Sequence, residues 1–348
     1  MPSRTGFRVV GNQIEDAAGE RVVFRGVNRS GSEYRCIQGH SFFDGPDDEE
    51  SVQAMKSWNI NAVRVPLNES CWLDVNGAPP EYSGCNYKTA IRDYVNLLHR
   101  YDITPILDLH WTGPNGAPAR RLQPLPNRDH SRAFWFDVAK TFADDEAVVF
   151  EPFNEPFPDQ NRDTDLAWRC WRDGCTQNQA VGQSEEPRTY EAVGMQELVD
   201  VIRGTGSKHL ILLGGVQYSN GLSQILARLP HDPLGNLALA WHVYNTNPCR
   251  DVDCWNGVPL GVAAALPVIA TELGQNDCTA TMVTPLLQWL DEHSSGYLAW
   301  TWNAYGMCRP PSATGRGSPW SLITDYASAT PNSDYAQVFR DHLAGFDP

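Results

Sequence analysis

The sequence predicts an α/β fold, a single (β/α)8 barrel of the TIM type, on three observations. Eight short apolar runs recur along the chain, amphipathic stretches of helical spacing lie between them, and the longest irregular segments all follow a run rather than precede one. At 348 residues, 41% hydrophobic and 20% charged, the chain can bury one large globular core. No internal repeat, low-complexity tract or Pro/Ser/Thr-rich linker divides it, so residues 1–348 read as one domain.

The segment from Phe7 to Phe24 places the turn residues Gly11-Asn12 and Ala18-Gly19-Glu20 between short apolar stretches. That pattern predicts an antiparallel hairpin leading into the first barrel strand. Strands are then expected at residues 23–28, 62–66, 104–110, 148–154, 210–214, 237–243, 268–272 and 297–302. Each is nearly continuously apolar, as a strand covered on both faces should be. Helical periodicity falls at 49–58, 88–101, 132–142, 190–203, 281–293 and 334–343, with weaker signals at 221–228 and 260–265. The long irregular segments 29–48, 67–86, 111–128 and 156–188 follow strands, the side on which this fold builds its binding face.

All nine cysteines fall in segments that follow a predicted strand: Cys36 after the first, Cys71 and Cys85 after the second, Cys170 and Cys175 after the fourth, Cys249 and Cys254 after the sixth, Cys278 after the seventh and Cys308 after the eighth. A reduced protein more often hides its cysteines in the core, so this placement predicts an oxidising compartment and loop-stapling disulfides. The preferred pairing is Cys71–Cys85, Cys170–Cys175, Cys249–Cys254 and Cys278–Cys308, with Cys36 free, although spacing leaves other connectivities open. The start, Met1-Pro2-Ser3-Arg4, lacks an apolar leader core. With the cysteines, this reads as a secreted protein whose signal peptide precedes the sequence.

The net charge of −15 argues against nucleic acid, an anionic membrane surface or a polyanionic substrate as partner. No run of apolar residues is long enough to span a membrane. The twelve tryptophans suit the apolar faces of sugar rings, although core packing must account for most of them. A carbohydrate substrate and a monomer are expected.

Two predicted strands run into carboxylates: Val149-Phe150-Glu151-Pro152-Phe153-Asn154-Glu155 and Pro267-Val268-Ile269-Ala270-Thr271-Glu272. A carboxylate pair at one rim is what glycosidic-bond hydrolysis requires, one group as acid and base, the other as nucleophile or water activator. Other strand ends carry Arg64, His110, Asn154, His242, Tyr244 and Trp302. Singly, each has a structural reading: Arg64 as partner of a buried carboxylate, either histidine as a satisfied core residue, Trp302 as plain core. Jointly, if the barrel forms, they are expected to converge on one cleft.

This ordered set resembles glycoside hydrolase family 5, whose signature is Asn-Glu-Pro on the fourth strand and a glutamate ending the seventh. The resemblance runs from Gly26-Val27-Asn28 to Asn303. It implies Glu155 as general acid/base and Glu272 as nucleophile, with Arg64 and Tyr244 holding Glu272 ionised. It also implies that Asn154 bonds the sugar 2-hydroxyl, that His110 and His242 line the cleft, and that Trp302 is the floor under the sugar. Asn28 and Trp111 are further cleft candidates.

Traces of other chemistry are missing from the sequence. It has no Gly-x-Ser-x-Gly, Gly-x-Gly-x-x-Gly, P-loop or His-Glu-x-x-His motif. Cys170-x4-Cys175 and Cys249-x4-Cys254 each resemble half a zinc site but lack nearby histidines, so no metal and no cofactor are expected. A non-catalytic carbohydrate-binding barrel is the rival class; it would usually lack one of the two glutamates. The expected reaction is retaining hydrolysis of a β-glucan or β-glucoside. Release of a disaccharide from a β-glucoside, or cleavage of β-mannan, is the alternative.

Overall fold

The computed structural model describes residues 6–182, 186, 188–311 and 317–346. The start read above for a leader, and part of the 156–188 insert, lie outside these described residues.

Eight parallel strands close into a barrel. They are β1 (Phe24–Asn28), β2 (Ala62–Asn68), β3 (Thr104–Trp111), β4 (Val149–Glu151), β5 (Ile211–Gly214), β6 (Leu237–Tyr244), β7 (Val268–Gly274) and β8 (Gly296–Ala299). Each pairs with the next, and β8 pairs with β1 to close the ring. The helices Glu49–Lys56, Gly84–Arg100, Ser131–Thr141, Met195–Gly204, Val283–His293 and Asp334–Leu343 alternate with these strands along the chain. Their apolar sides join one large cluster with the outward strand residues, among them Val63, Leu107, Leu109 and Leu213.

A second cluster fills the lower barrel. It contains Phe24, Ala62, Ile106, Val149, Leu212, Ala240, Ile269 and Leu298, every one buried. Because strand side chains alternate, the next inward positions lie two residues on. There the character switches, giving Arg64 above Ala62, Asp108 above Ile106 and Glu151 above Val149. The site is therefore built on the same inward rows as the core, one layer higher. Gly26 sits in β1 where no side chain fits, since a Cβ there would lie 1.7 Å from the Ala62 carbonyl oxygen.

The predicted hairpin is present as a three-stranded antiparallel sheet, Arg8–Val10, Gln13–Glu15 and Arg21–Val22. Its Ile14 packs into the lower-barrel cluster, so the sheet plugs the barrel base. Asn236 ties it down, accepting from the Val9 amide at 2.9 Å and donating to the Phe7 carbonyl at 2.9 Å.

Several expected boundaries move. The strand expected to reach residue 154 ends at Glu151, because Pro152 has no N–H to donate to the ladder. The strand expected to end at residue 302 stops at Ala299, and the following Trp300–Thr301 peptide is cis. The helix expected at 190–203 begins at Met195; Tyr190 instead belongs to a short strand, Thr189–Glu191, paired with Thr176–Asn178. Burial of Tyr190, whose hydroxyl donates to the Leu125 carbonyl at 2.7 Å, outweighs helical periodicity there. Helices Glu69–Leu73 and Asp165–Asp173 lie inside segments expected to be irregular.

Four disulfides are present: Cys36–Cys71, Cys170–Cys175, Cys249–Cys254 and Cys278–Cys308. The Cys71–Cys85 pairing is thus corrected, since Cys71 bonds Cys36 and Cys85 is the free thiol. Cys85 lies exposed in the first turn of Gly84–Arg100, whereas Cys36 and Cys71 are both buried where the first two post-strand loops meet. Among the described residues no helix is long and apolar enough to cross a membrane.

Candidate active site

Arg64 is the hub of the upper barrel. A fully buried guanidinium is tolerated only when its donors are paired. Here Nε and Nη2 donate to the two Glu151 oxygens, each at 2.9 Å, and Nη1 donates to Glu272 Oε1 at 2.7 Å. Nη2 also donates to Asn154 Oδ1 at 2.6 Å and lies 3.1 Å from Asp108 Oδ2. Nη1 reaches Asn28 Oδ1 at 3.0 Å. Asn28, expected in the cleft, is fully buried, and its amide donates to the carbonyls of Thr271 and Ala299. It orients Arg64 instead of facing a ligand, because its side chain bridges three strands below the rim.

Glu272 receives Arg64 on one oxygen and the Tyr244 hydroxyl on the other, at 2.5 Å. Burial holds its carboxyl above the usual range, opposed in part by His242 and then Arg64. Glu155 lies one turn of chain beyond β4 and is partly exposed. Its Oε1 is 2.9 Å from His242 Nδ1. Burial pushes it up to about 7. Burial also brings His110 and His242 down to about 4, so both rings are neutral near pH 7. Both carboxyls are raised by burial, but only Glu272 is bonded directly to the Arg64 guanidinium.

A shift of register between Ala240 and His242 sets His242 beside Glu272 on the neighbouring strand. As a result one oxygen of each glutamate and a His242 ring nitrogen all lie within 4.8 Å of one another. Such spacing could hold a metal ion. Against that use, both Glu272 oxygens already accept hydrogen bonds, and the Arg64 charge sits where a cation would be repelled.

Asn154 is held by its backbone, donating to the Leu109 carbonyl at 3.1 Å and accepting from Ser219 Oγ at 2.7 Å. Its side-chain Nδ2 is buried with no hydrogen-bond partner among the described residues. His110 Nδ1 bonds Asp108 Oδ2 at 2.6 Å, and the ring lies parallel to Trp300, 5.6 Å between centroids.

The two glutamates, His110, Tyr244 and Trp300 line a cleft of about 440 Å³. Leu122, Tyr218 and Trp320, all from post-strand loops, add its apolar wall. Trp300, and not Trp302, is the tryptophan that the end of β8 contributes to this cleft. Trp302 is fully buried, edge-on to Trp58 with centroids 4.9 Å apart, because the chain turns inward after β8. Trp111 ends β3 half-buried against Tyr34, outside this cleft's lining.

Sequence reasoning missed Asp108 and Glu151 because both lie within strands; inward alternation from Ile106 and Val149 would have found them. The same rule applied to Leu298 points to Trp300. Tyr218 is presented by three successive left-handed residues, Gln217, Tyr218 and Ser219, none of them glycine, so no turn signal marked it.

The model of the cellulase family, glycosyl hydrolase family 5, matches residues 16–306. No curated protein matches the sequence. Among solved structures, a β-glucanase from Saccharophagus degradans superposes with a TM-score of 0.68 at 19% identity, covering 98% of this chain and 94% of that one. A β-mannanase from Streptomyces thermolilacinus gives 0.65 at 18% identity, covering 99% and 98%. The Thermomonospora fusca β-mannanase, solved with mannotriose, gives 0.64 at 16% identity, covering 94% and 91%. These likenesses are of fold. With the family match spanning most of the barrel and both glutamates at one rim, the chain belongs to glycoside hydrolase family 5 and is a hydrolase of O-glycosyl bonds.

Proposed function

We propose that the protein hydrolyses a β-glucan or β-glucoside by retaining double displacement, in the manner of an endoglucanase. The observation that supports this most is the proximity of Glu155 and Glu272, with carboxylate oxygens within 4.8 Å. Retaining enzymes hold the two groups about 5–5.5 Å apart, whereas inverting ones leave about 6.5–9.5 Å for a water.

In the first step Glu272 attacks the anomeric carbon while Glu155 protonates the departing oxygen. The attacking group must stay ionised, and Arg64 with Tyr244 favours that state. Forming the ester removes the Glu272 charge, so the Glu155 pKa falls and the same carboxyl can take a proton from water in the second step. The free Asn154 Nδ2 suits the sugar 2-hydroxyl, and the Trp300 face suits the sugar's C–H face.

A second reading rests on Leu122. This residue of the 111–128 insert lines the cleft and narrows it on one side, which favours a short substrate such as a disaccharide glycoside released as a unit. The four disulfides support a secreted enzyme.

Incubation with soluble cellulose derivatives, β-mannan, xyloglucan and aryl mono- and diglycosides tests the substrate class. Proton NMR of the first product tests the mechanism: the β-anomer is expected first, and an α-anomer appearing first would overturn it.

A further inference from the structure

Glu151 has no place in the chemistry described so far, yet it is fully buried and touches two of the groups that do. Both its oxygens accept from the Arg64 guanidinium at 2.9 Å, a paired geometry that favours the carboxylate against the upward push of burial. Its Oε1 also lies 3.9 Å from His242 Nε2. That is too long for a hydrogen bond, and among the described residues Nε2, itself buried, has no hydrogen-bond partner. The distance is short for an ion and a ring dipole, with both side chains wholly out of water. On the other side of the ring, Nδ1 faces Glu155 Oε1 at 2.9 Å and Glu272 Oε2 at 3.5 Å.

A neutral imidazole carries its one proton on either nitrogen, and the two arrangements demand different things of Glu155. With the proton on Nδ1, the ring donates toward the glutamates and favours an ionised Glu155. The bare Nε2 lone pair then faces a carboxylate. With the proton on Nε2, the N–H dipole points at Glu151, and Nδ1 becomes an acceptor that only a protonated Glu155 can satisfy.

We propose that Glu151 is a positioning residue that selects the Nε2–H tautomer of His242 and so holds the proton on Glu155 before the first bond breaks. The inference rests on the acid/base reading of Glu155 above. The other groups facing this ring bear on the choice. Arg64 on β2 disfavours a second proton on the ring and keeps it neutral. His110 on β3 and Glu272 on β7 also face it, and Tyr244 on β6 donates to the Glu272 oxygen beside Nδ1. An ionised Glu272, 3.5 Å from Nδ1, favours the Nδ1–H arrangement and opposes Glu151, whereas Asp108 on β3 adds negative charge that favours a protonated Glu155. Glu151 acts through His242 and does not touch substrate.

The nitrogen-15 spectrum of histidine-labelled enzyme, recorded below pH 7, reads the tautomer directly. Nε2–H with bare Nδ1 at His242 is expected, and Nδ1–H overturns the proposal. This measurement needs no variant, so it stands even where Glu151→Gln fails to fold. Glu151→Gln then separates positioning from support. A substrate with a poor alkyl leaving group should lose about tenfold more kcat/KM than an activated aryl glycoside, which needs little acid assistance. Equal losses on both would mark a purely structural role and overturn the proposal. Full turnover of the alkyl substrate by Glu155→Ala would instead overturn the acid/base reading, a result separate from the tautomer.

Discussion

Arg64 Nη1 lies 2.7 Å from Glu272 Oε1 while the same guanidinium clamps Glu151 and approaches Asp108, so one cation faces three buried carboxyls. Removing it strands that negative charge in the barrel. Arg64→Met is expected to cost about 3–5 kcal/mol of stability, read from denaturant unfolding. Its activity should fall beyond what the loss of folded protein explains.

The proposed roles of the two glutamates predict different rescue products. Glu272→Ala should lose about 10⁴-fold or more in turnover, with azide filling the space and giving an α-glycosyl azide. Glu155→Ala should lose about 10²–10⁴-fold on poor leaving groups, with azide trapping the ester from the other face as the β-azide. NMR of the azide products checks the assignment, and identical anomers from both variants would contradict it.

Stability should depend on pH in a defined window. Glu155 and Asp108 are raised to about 7 and Glu33 to about 8, so the folded state binds protons that the unfolded chain releases. These groups make stability fall as pH rises through their folded values. His110, His209 and His242 are lowered from 6.5 to about 4, so they make stability rise with pH between those values. The two trends oppose each other below 6.5, and above it only the carboxyls act. Tm measured by calorimetry should therefore drop between about pH 6.5 and 8. The basic limb of kcat/KM should begin near 7, where Glu155 ionises.

Trp300 and Trp302 should separate cleanly under substitution. Trp300→Ala should raise KM sharply with a small change in Tm, since the ring faces the cleft. Trp302→Ala leaves a cavity beside Trp58 and should cost about 3–5 kcal/mol. Paired kinetic and unfolding measurements on both variants check this.

Mass spectrometry of an unreduced digest should find Cys36 linked to Cys71 and Cys85 alkylated. Cys85→Ser should leave Tm unchanged, whereas Cys36→Ser should cost about 2–5 kcal/mol.

What could be read from sequence follows from where each residue sits. Glu155 and Tyr244 stand at or beyond strand ends, and His242 and Glu272 lie two residues short of them, where polar residues interrupt apolar runs, and so they announce themselves. Asp108 and Glu151 sit inside runs whose apolar neighbours hide them. Trp300 and Trp302 share the same local pattern, and only the turn after Ala299 decides which one enters the core. Cys36 meets Cys71 because their loops are neighbours around the rim, a relation of barrel geometry that spacing along the chain does not encode.

The plug at the barrel base has a consequence for synthesis on the ribosome. Val9 waits for Asn236, 227 residues further along, before its amide is satisfied. The opening strands therefore emerge long before their anchor exists, and Ile14 is an apolar side chain without its final neighbours for most of translation.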